Sequence, residues 1–498
     1  MQTNTGINVD RFTSKHGLVY LSTCLLVYLF IGLQYAALTP AWQVPDEPAH
    51  YNYIKHIAQT GSLPELKKGD YDQIYLARLT SEKFPPDLSI DSVRYESWQP
   101  PLYYLLAAPI FILFNGALLP LRIFSLTLGA GVLVFAYLAI REAVSSEPSA
   151  VSNPTSLRYG DYRQQSKISN LQSPIFNLQS LLAVSFIAFI PQHIAMMAGV
   201  NNDSLSELII AIGLWRILAI SRQPSAISKS LIFNPYLHLG IIIGLALITK
   251  SHAYLLAPVA LVMLLLRLKS HQQSTILNLQ SLFLVFTPAL LLGSTFWGRN
   301  LAVYGVPDFM ATIRHDSVVI GQPRTSEWIA QYGTLEVARR FLQTTFQSFW
   351  GQFGWMGVVM DQRVYMVLLI FSALLIIGFV LALSHQPSAI SHQPSANLQS
   401  LITNYHLLFT DNFLLLTVSA LLTLALYLYY NLTYVQHQGR YLFPALIPIS
   451  VAVSLSLTTW ADLFTFLGDK RKWLAFVPIA MMAALCVFAL YRFIVPAL

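Results

Sequence analysis

Eleven times along this chain the residues turn apolar for nearly the length of a bilayer crossing, and that repetition decides the fold class. A hydrocarbon core about 30 Å thick asks for roughly 20 apolar residues of helix. Backbone N–H and C=O groups find no water there and must pair within the segment. The runs lie near 18–37, 120–140, 181–199, 205–220, 237–249, 253–267, 282–297, 364–383, 412–430, 441–459 and 474–494. Of the 498 residues, 55% are apolar and only 11% charged, against about a quarter charged in soluble domains. The chain reads as an all-α polytopic membrane protein of about 11 spans, with 1–498 a single transmembrane domain and no soluble domain. The fifth and sixth runs are short and read equally as one broken hairpin.

Arg11 and Lys15 precede the first run as in a signal peptide, but its length and the absence of an A-x-A site after it make it an uncleaved first helix. Cys24 and Cys486 lie in apolar runs and form neither a disulfide framework nor a metal-ligand spacing. A net charge of +7 would suggest nucleic acid in a soluble protein; here it reads as basic cytoplasmic loops and no nucleic-acid partner.

Those charges set the orientation. With the N-terminus cytoplasmic, the inner loops hold Arg141, Arg158, Arg163 and Lys167, then Arg222 and Lys229, Arg267 and Lys269, and "DKRK" at 469–472. The apolar stretch "PPLYYLLAAPIFILF" (100–114) is left as an interfacial helix, because counting it as a span would invert every later loop. Short repeats, "NLQS" at 170–173, 177–180, 278–281 and 397–400 and "QPSA" at 223–226, 386–389 and 393–396, all fall in the expected cytoplasmic loops 141–180, 221–236, 268–281 and 384–411. They read as tolerated insertions.

The polar stretches of interest then share the external face, in the first loop (38–119), in the long loop (298–363) and at the ends of spans. "PDEPAHY" brings Asp46, Glu47 and His50 directly after the first span. Asp46 suits the N-cap of a helix over 47–59, which Gly61 ends. Tyr53, Ile54, Ile57 and Ala58 give that helix an apolar stripe for the membrane surface. A carboxylate at such a wet boundary can accept a proton from an attacking hydroxyl. "YESWQPPLYY" contributes Gln99, and "NND" contributes Asn202 and Asp203, the latter equally suited to cap the following span. Lys250 and His252 interrupt an apolar run, where a charge costs roughly 2.5–3.5 kcal/mol at mid-bilayer. Arg299 and Arg440 stand at ends of spans, and the guanidinium fork suits phosphate. The aromatic stretch 339–361 suits a lid or a membrane belt.

In this order, "PDEPAHY", "QPPLYY", "NND" and "QGRYLFP" resemble the membrane glycosyltransferases of the GT-C superfamily, over about 18–460. The nearest look is to the protein O-mannosyltransferase and aminoarabinose-transferase branch and its bacterial relatives. The resemblance implies a GT-C-like bundle with interfacial helices in the first external loop. It also implies a sugar donor on polyprenyl phosphate, an inverting transfer on the outer face of the plasma membrane, and an acceptor that is protein, lipid or glycan. Carried over, Asp46 is the general base with Glu47 beside it, Asp203 the second external acid and Arg440 the late basic residue. His50, Gln99, Asn202, Lys250, His252 and Arg299 are candidate substrate contacts. Gln99 stands where some relatives have an acid or histidine, so no metal is assigned and a divalent metal stays open as cofactor. A transporter or flippase, and a ligase of lipid-linked glycans, are the alternatives.

Overall fold

The computed structural model describes residues 8–144, 178–222, 234–269, 275–384 and 410–498. Among these, each of the eleven apolar runs is helical. Helices α1 (Asn8–Leu38), α2 (Glu47–Thr60), α3 (Gln73–Ser81), α4 (Leu102–Leu113) and α5 (Leu118–Val144) form the first third. They are followed by α6 (Leu178–Ala188), α7 (Pro191–Met197), α8 (Asp203–Arg222), α9 (Pro235–Leu247) and α10 (Ser251–Leu268). Next come α11 (Thr275–Tyr304), α12 (Thr312–Val318), α13 (Thr325–Tyr332), α14 (Thr334–Trp350) and a small hairpin of β1 (Gln352–Phe353) and β2 (Val358–Val359). The chain ends with α15 (Gln362–Ser384), α16 (Asp411–Thr433), α17 (Gly439–Asp462) and α18 (Arg471–Ala497).

Nine of the described helices are long and apolar enough to cross a membrane: α1, α5, α8, α10, α11, α15, α16, α17 and α18. This is a multi-pass membrane protein. Helices α6 and α7 meet at a bend of 68°, the geometry of a broken span or a re-entrant loop. The break has a local cause. Pro191 disfavours a helical residue before it, and Ile190 is extended (φ −80°, ψ 117°). Helix α9, the fifth apolar run, is too short to span by itself. Helix α4 is equally short, as expected of 100–114.

Two sequence expectations are corrected. The "NLQS" copy at 278–281 lies inside α11, and residues 178–180 begin α6, because Asn-Leu-Gln-Ser contains no helix breaker. The other copies lie outside the described residues. The apolar stripe of α2 does not lie on lipid either. Tyr53, Ile54 and Ile57 are buried in the main core, with α2 packed along α4.

Packing is closest where small residues line a helix. Gly240 and Gly244, one turn apart in "GIIIG", let α9 press onto α11, and a Cβ at Gly240 would overlap the carbonyl oxygens of Leu284 and Val285. Such stripes replace the missing hydrophobic drive between helices in lipid. Gly240→Leu is therefore expected to lower the melting temperature in detergent or lipid, by at least the 1–3 kcal/mol typical of overpacking. An unchanged melt would mean that α9 and α11 pack less tightly than they do here.

A second, smaller apolar cluster holds the first loop together. Ala49, Leu79, Phe84, Val93, Tyr95 and Val319 are buried in it, with Trp42 and Trp355 packed alongside. Trp355 at the β-hairpin turn donates to the Trp42 carbonyl (2.9 Å). This lobe fixes Asp46 and Tyr95 above the end of the bundle.

Candidate active site

Asp46 stands at the position expected of an N-cap but does not act as one. Its backbone is left-handed (φ 67°, ψ −5°) and its side chain makes no bond to the first turn of α2. Aspartate is among the few residues that tolerate this twist. The carboxylate is turned instead toward two other segments. Oδ1 accepts from the Tyr95 hydroxyl (2.7 Å) and Oδ2 from Arg440 Nη2 (2.7 Å). Burial pushes its pKa up, but Arg440, His50 and the two hydrogen bonds outweigh that and hold it below the usual carboxylate range. Asp46 is ionised at neutral pH.

Glu47, its neighbour, is placed differently. It is wholly buried and takes a two-pronged contact from Arg122 on α5, Nε to Oε1 (2.8 Å) and Nη2 to Oε2 (2.7 Å). The backbone N–H groups of Trp42 and Val200 donate to the same two oxygens (3.0 and 3.1 Å). Arg122 also donates to the carbonyls of Ala36, Thr39 and Pro40, the turn that leaves α1. With both oxygens doubly occupied, Glu47 has no lone pair to offer a substrate. It ties α1, α2, α5 and the start of the 200s together.

The cap of α8 is Asn201, whose Oδ1 accepts from the N–H groups of Asp203 and Ser204 (3.0 and 3.3 Å). Asp203 is thereby released from capping and pairs with Lys250 Nζ (2.6 Å). Asn202 Oδ1 receives the same ammonium (2.9 Å), and Asn202 Nδ2 reaches Gln99 Oε1 (3.4 Å). Lys250 occupies an extended break (φ −165°, ψ 146°) between α9 and α10, which explains a lysine within an apolar run. His252 packs its ring 5.5 Å from Tyr441, the residue after Arg440.

His50 lies between the two ion pairs and shares a hydrogen bond with the Tyr104 hydroxyl (2.9 Å). Burial first, and then Lys250 and Arg440 against the opposing pull of Asp46 and Asp203, press its pKa down to about 3. It is neutral when folded, whereas the unfolded chain protonates it near 6.5. Its share of stability is therefore full above about pH 6.5 and is lost as pH falls toward 3, by at most about 1.4 kcal/mol per pH unit. Between pH 6.5 and 4.5 the melting temperature of wild type is expected to fall more steeply than that of His50→Gln. Parallel curves would show that His50 takes its proton without cost.

Arg299 is not part of this group. It donates to the Asn300 side chain (3.1 Å) and the Pro64 carbonyl and lies over the Tyr304 ring, so it pins the first loop against the end of α11. Sequence reasoning also passed over two residues of "YESWQ". Tyr95 holds Asp46, and Glu96 is pushed up to about 7 by burial and then by Asp46. Only their nearness to Gln99 in the chain could have marked them. Among the described residues, no three His, Cys, Asp or Glu side chains come together as a metal site.

Five stretches far apart in sequence thus meet at one end of the bundle, bringing Asp46, Glu96 and Asp203 together with Lys250, Arg440 and the neutral imidazole of His50. No family model matches the chain, and no curated protein does. Among solved structures it is similar to the oligosaccharyltransferase of Archaeoglobus fulgidus tethered with an acceptor peptide containing the NVT sequon (12% identity, TM-score 0.48, 94% of this chain and 55% of that one). It is also similar to that protein in complex with Zn and sulfate (14%, TM-score 0.46, 93% and 52%). A third likeness is to ArnT from Cupriavidus metallidurans bound to undecaprenyl phosphate (12%, TM-score 0.44, 96% and 73%). The chain spans about half the length of the two oligosaccharyltransferase structures. The likeness is one of chain course, and side-chain roles rest on the contacts above.

Proposed function

We propose that the protein is a glycosyltransferase that moves a sugar from a polyprenyl-phosphate donor to a hydroxyl acceptor at the outer face of the membrane. The observation that carries this reading is the contact between Asp46 and Arg440. Arg440 is nine-tenths buried, gives Nη2 to Asp46, rests Nη1 on the Met196 sulfur (3.7 Å) and leaves Nε buried with no partner among the described residues. A buried guanidinium with donors to spare is short of an acceptor, and a phosphate supplies one with matching geometry.

The same contact gives an order of events. While Arg440 holds Asp46, the carboxylate is a weak base. A donor phosphate competes for the guanidinium, and the carboxylate it frees rises in basicity. The acceptor oxygen then attacks the anomeric carbon. The bond from that carbon to the phosphate oxygen breaks, its electron pair leaves with the phosphate, and the hydroxyl proton passes to Asp46. Arg440 and Lys250 stabilise the charge on the departing polyprenyl phosphate. A single displacement of this kind inverts the anomeric centre. Asp203 and Asn202 hold Lys250 in place, while Gln99 and His252 border the same group. An apolar groove of about 480 Å³ beside Trp297, Leu301, Val306 and Phe309 suits the isoprenoid chain.

The test is donor turnover by the purified protein in lipid, given a panel of polyprenyl-phosphate sugars with mixed acceptors. Consumption of a donor with release of polyprenyl phosphate supports the reading. Movement of intact donor across the bilayer without turnover would make a flippase the better account.

A further inference from the structure

Around the Asp46–Arg440 pair the contacts close into a ring. Asp46 bonds Tyr95, the next residue is Glu96, and Trp98 packs 4.8 Å from His315. His315 bonds Asp316 (3.1 Å), which accepts from the Tyr434 hydroxyl (2.6 Å). Tyr434 leads to Tyr430 and that to Tyr441 (5.5 and 5.7 Å between ring centres), and Arg440 lies 5.4 Å from the Tyr441 ring before returning to Asp46.

Four polar atoms on or beside this ring are buried with no partner among the described residues: Glu96 Oε2, Trp98 Nε1, Gln438 Oε1 and Arg440 Nε. Orphaned polar atoms are rare in folded proteins, because each gives up its bonds to water without replacement. Nothing in the apolar packing repays four in one place. Two are acceptors and two are donors, and aromatic rings stand between them. A ligand that satisfies such a set has an apolar face and a rim of hydroxyls.

We propose that this ring seats the sugar of the donor, with Glu96 and Trp98 gripping its hydroxyls and Tyr430 and Tyr441 flanking its apolar face. The assignment rests on the glycosyltransferase reading, since the sugar must lie beside the phosphate that Arg440 receives. Binding sites of this kind place a few polar groups within an aromatic wall. Burial also keeps Glu96 half-protonated near neutral pH, so its carboxyl can donate to one hydroxyl and accept from another.

The test compares undecaprenyl phosphate with its mannosyl, glucosyl, galactosyl and arabinosyl esters, binding each to the full-length protein in lipid nanodiscs. Wild type is expected to bind at least one ester about tenfold more tightly than the bare lipid, the worth of a well-placed hydrogen bond to a buried group. Glu96→Gln and, separately, Trp98→Phe should each erase most of that advantage while keeping the affinity for undecaprenyl phosphate. That retained affinity also shows that the variants fold. If both variants keep the full advantage, or if no ester outbinds the bare lipid in wild type, the ring does not read the sugar. If wild type binds neither bare nor glycosylated lipid, the donor reading itself is wrong.

Discussion

Asp46→Asn is expected to lower turnover by roughly 10²–10⁴, the usual worth of a positioned general base, and to melt below wild type but well above Glu47→Ala, because Asp46 is a quarter exposed and Arg440 keeps Asp203 in its field. Asparagine is close in shape and tolerates the same left-handed backbone, and the Tyr95 hydroxyl still finds an acceptor. What disappears is the charge that balances Arg440 and receives the proton. The comparison is made with whichever donor wild type consumes, at saturating acceptor, with melting curves recorded on the same preparations. Equal turnover would remove Asp46 from the chemistry.

The adjacent residue should behave in the opposite way. Glu47→Ala leaves Arg122 charged and buried, and breaking one side of such a pair costs about 3–5 kcal/mol. The expected result is a protein that melts far below wild type or fails to accumulate. Glu47→Ala with Arg122→Met should recover part of the loss, because apolar replacement of both partners removes the stranded charge. A Glu47→Ala protein with wild-type melting and reduced turnover would move Glu47 back into the reaction. The proposed base and its buried neighbour are separable by these measurements alone.

The sequence shows the difference between them poorly, and the reason is physical. Runs of about 20 apolar residues are a local signal, so all eleven helical runs were legible, and so was the helix over Glu47–Thr60. Partners are a non-local matter. Glu47 meets Arg122 and Asp46 meets Arg440, 75 and 394 residues away. No periodicity reports which of two adjacent carboxylates will turn inward. The cap of α8 stayed open in sequence for a related reason: both Asn201 and Asp203 have capping chemistry, and the Lys250 ammonium decides between them. Arg299 looked like Arg440 in sequence, yet it ends beside the Pro64 carbonyl. The convergence of Asp46, Asp203, Lys250 and Arg440 was legible because each stood at the same end of an apolar run.

One contact near Arg440 limits how that residue can move. Gly439 lies flat against α14: its N–H donates to Ser348 Oγ (2.7 Å), and a Cβ there would overlap the backbone at Thr345 and Phe349. Arg440 is thus fastened, one residue away, to the helix that carries exposed Leu335 and Leu342. The main chain at Arg440 therefore has no room to slide along α14, and exchange of Asp46 for another acceptor falls to the guanidinium side chain alone.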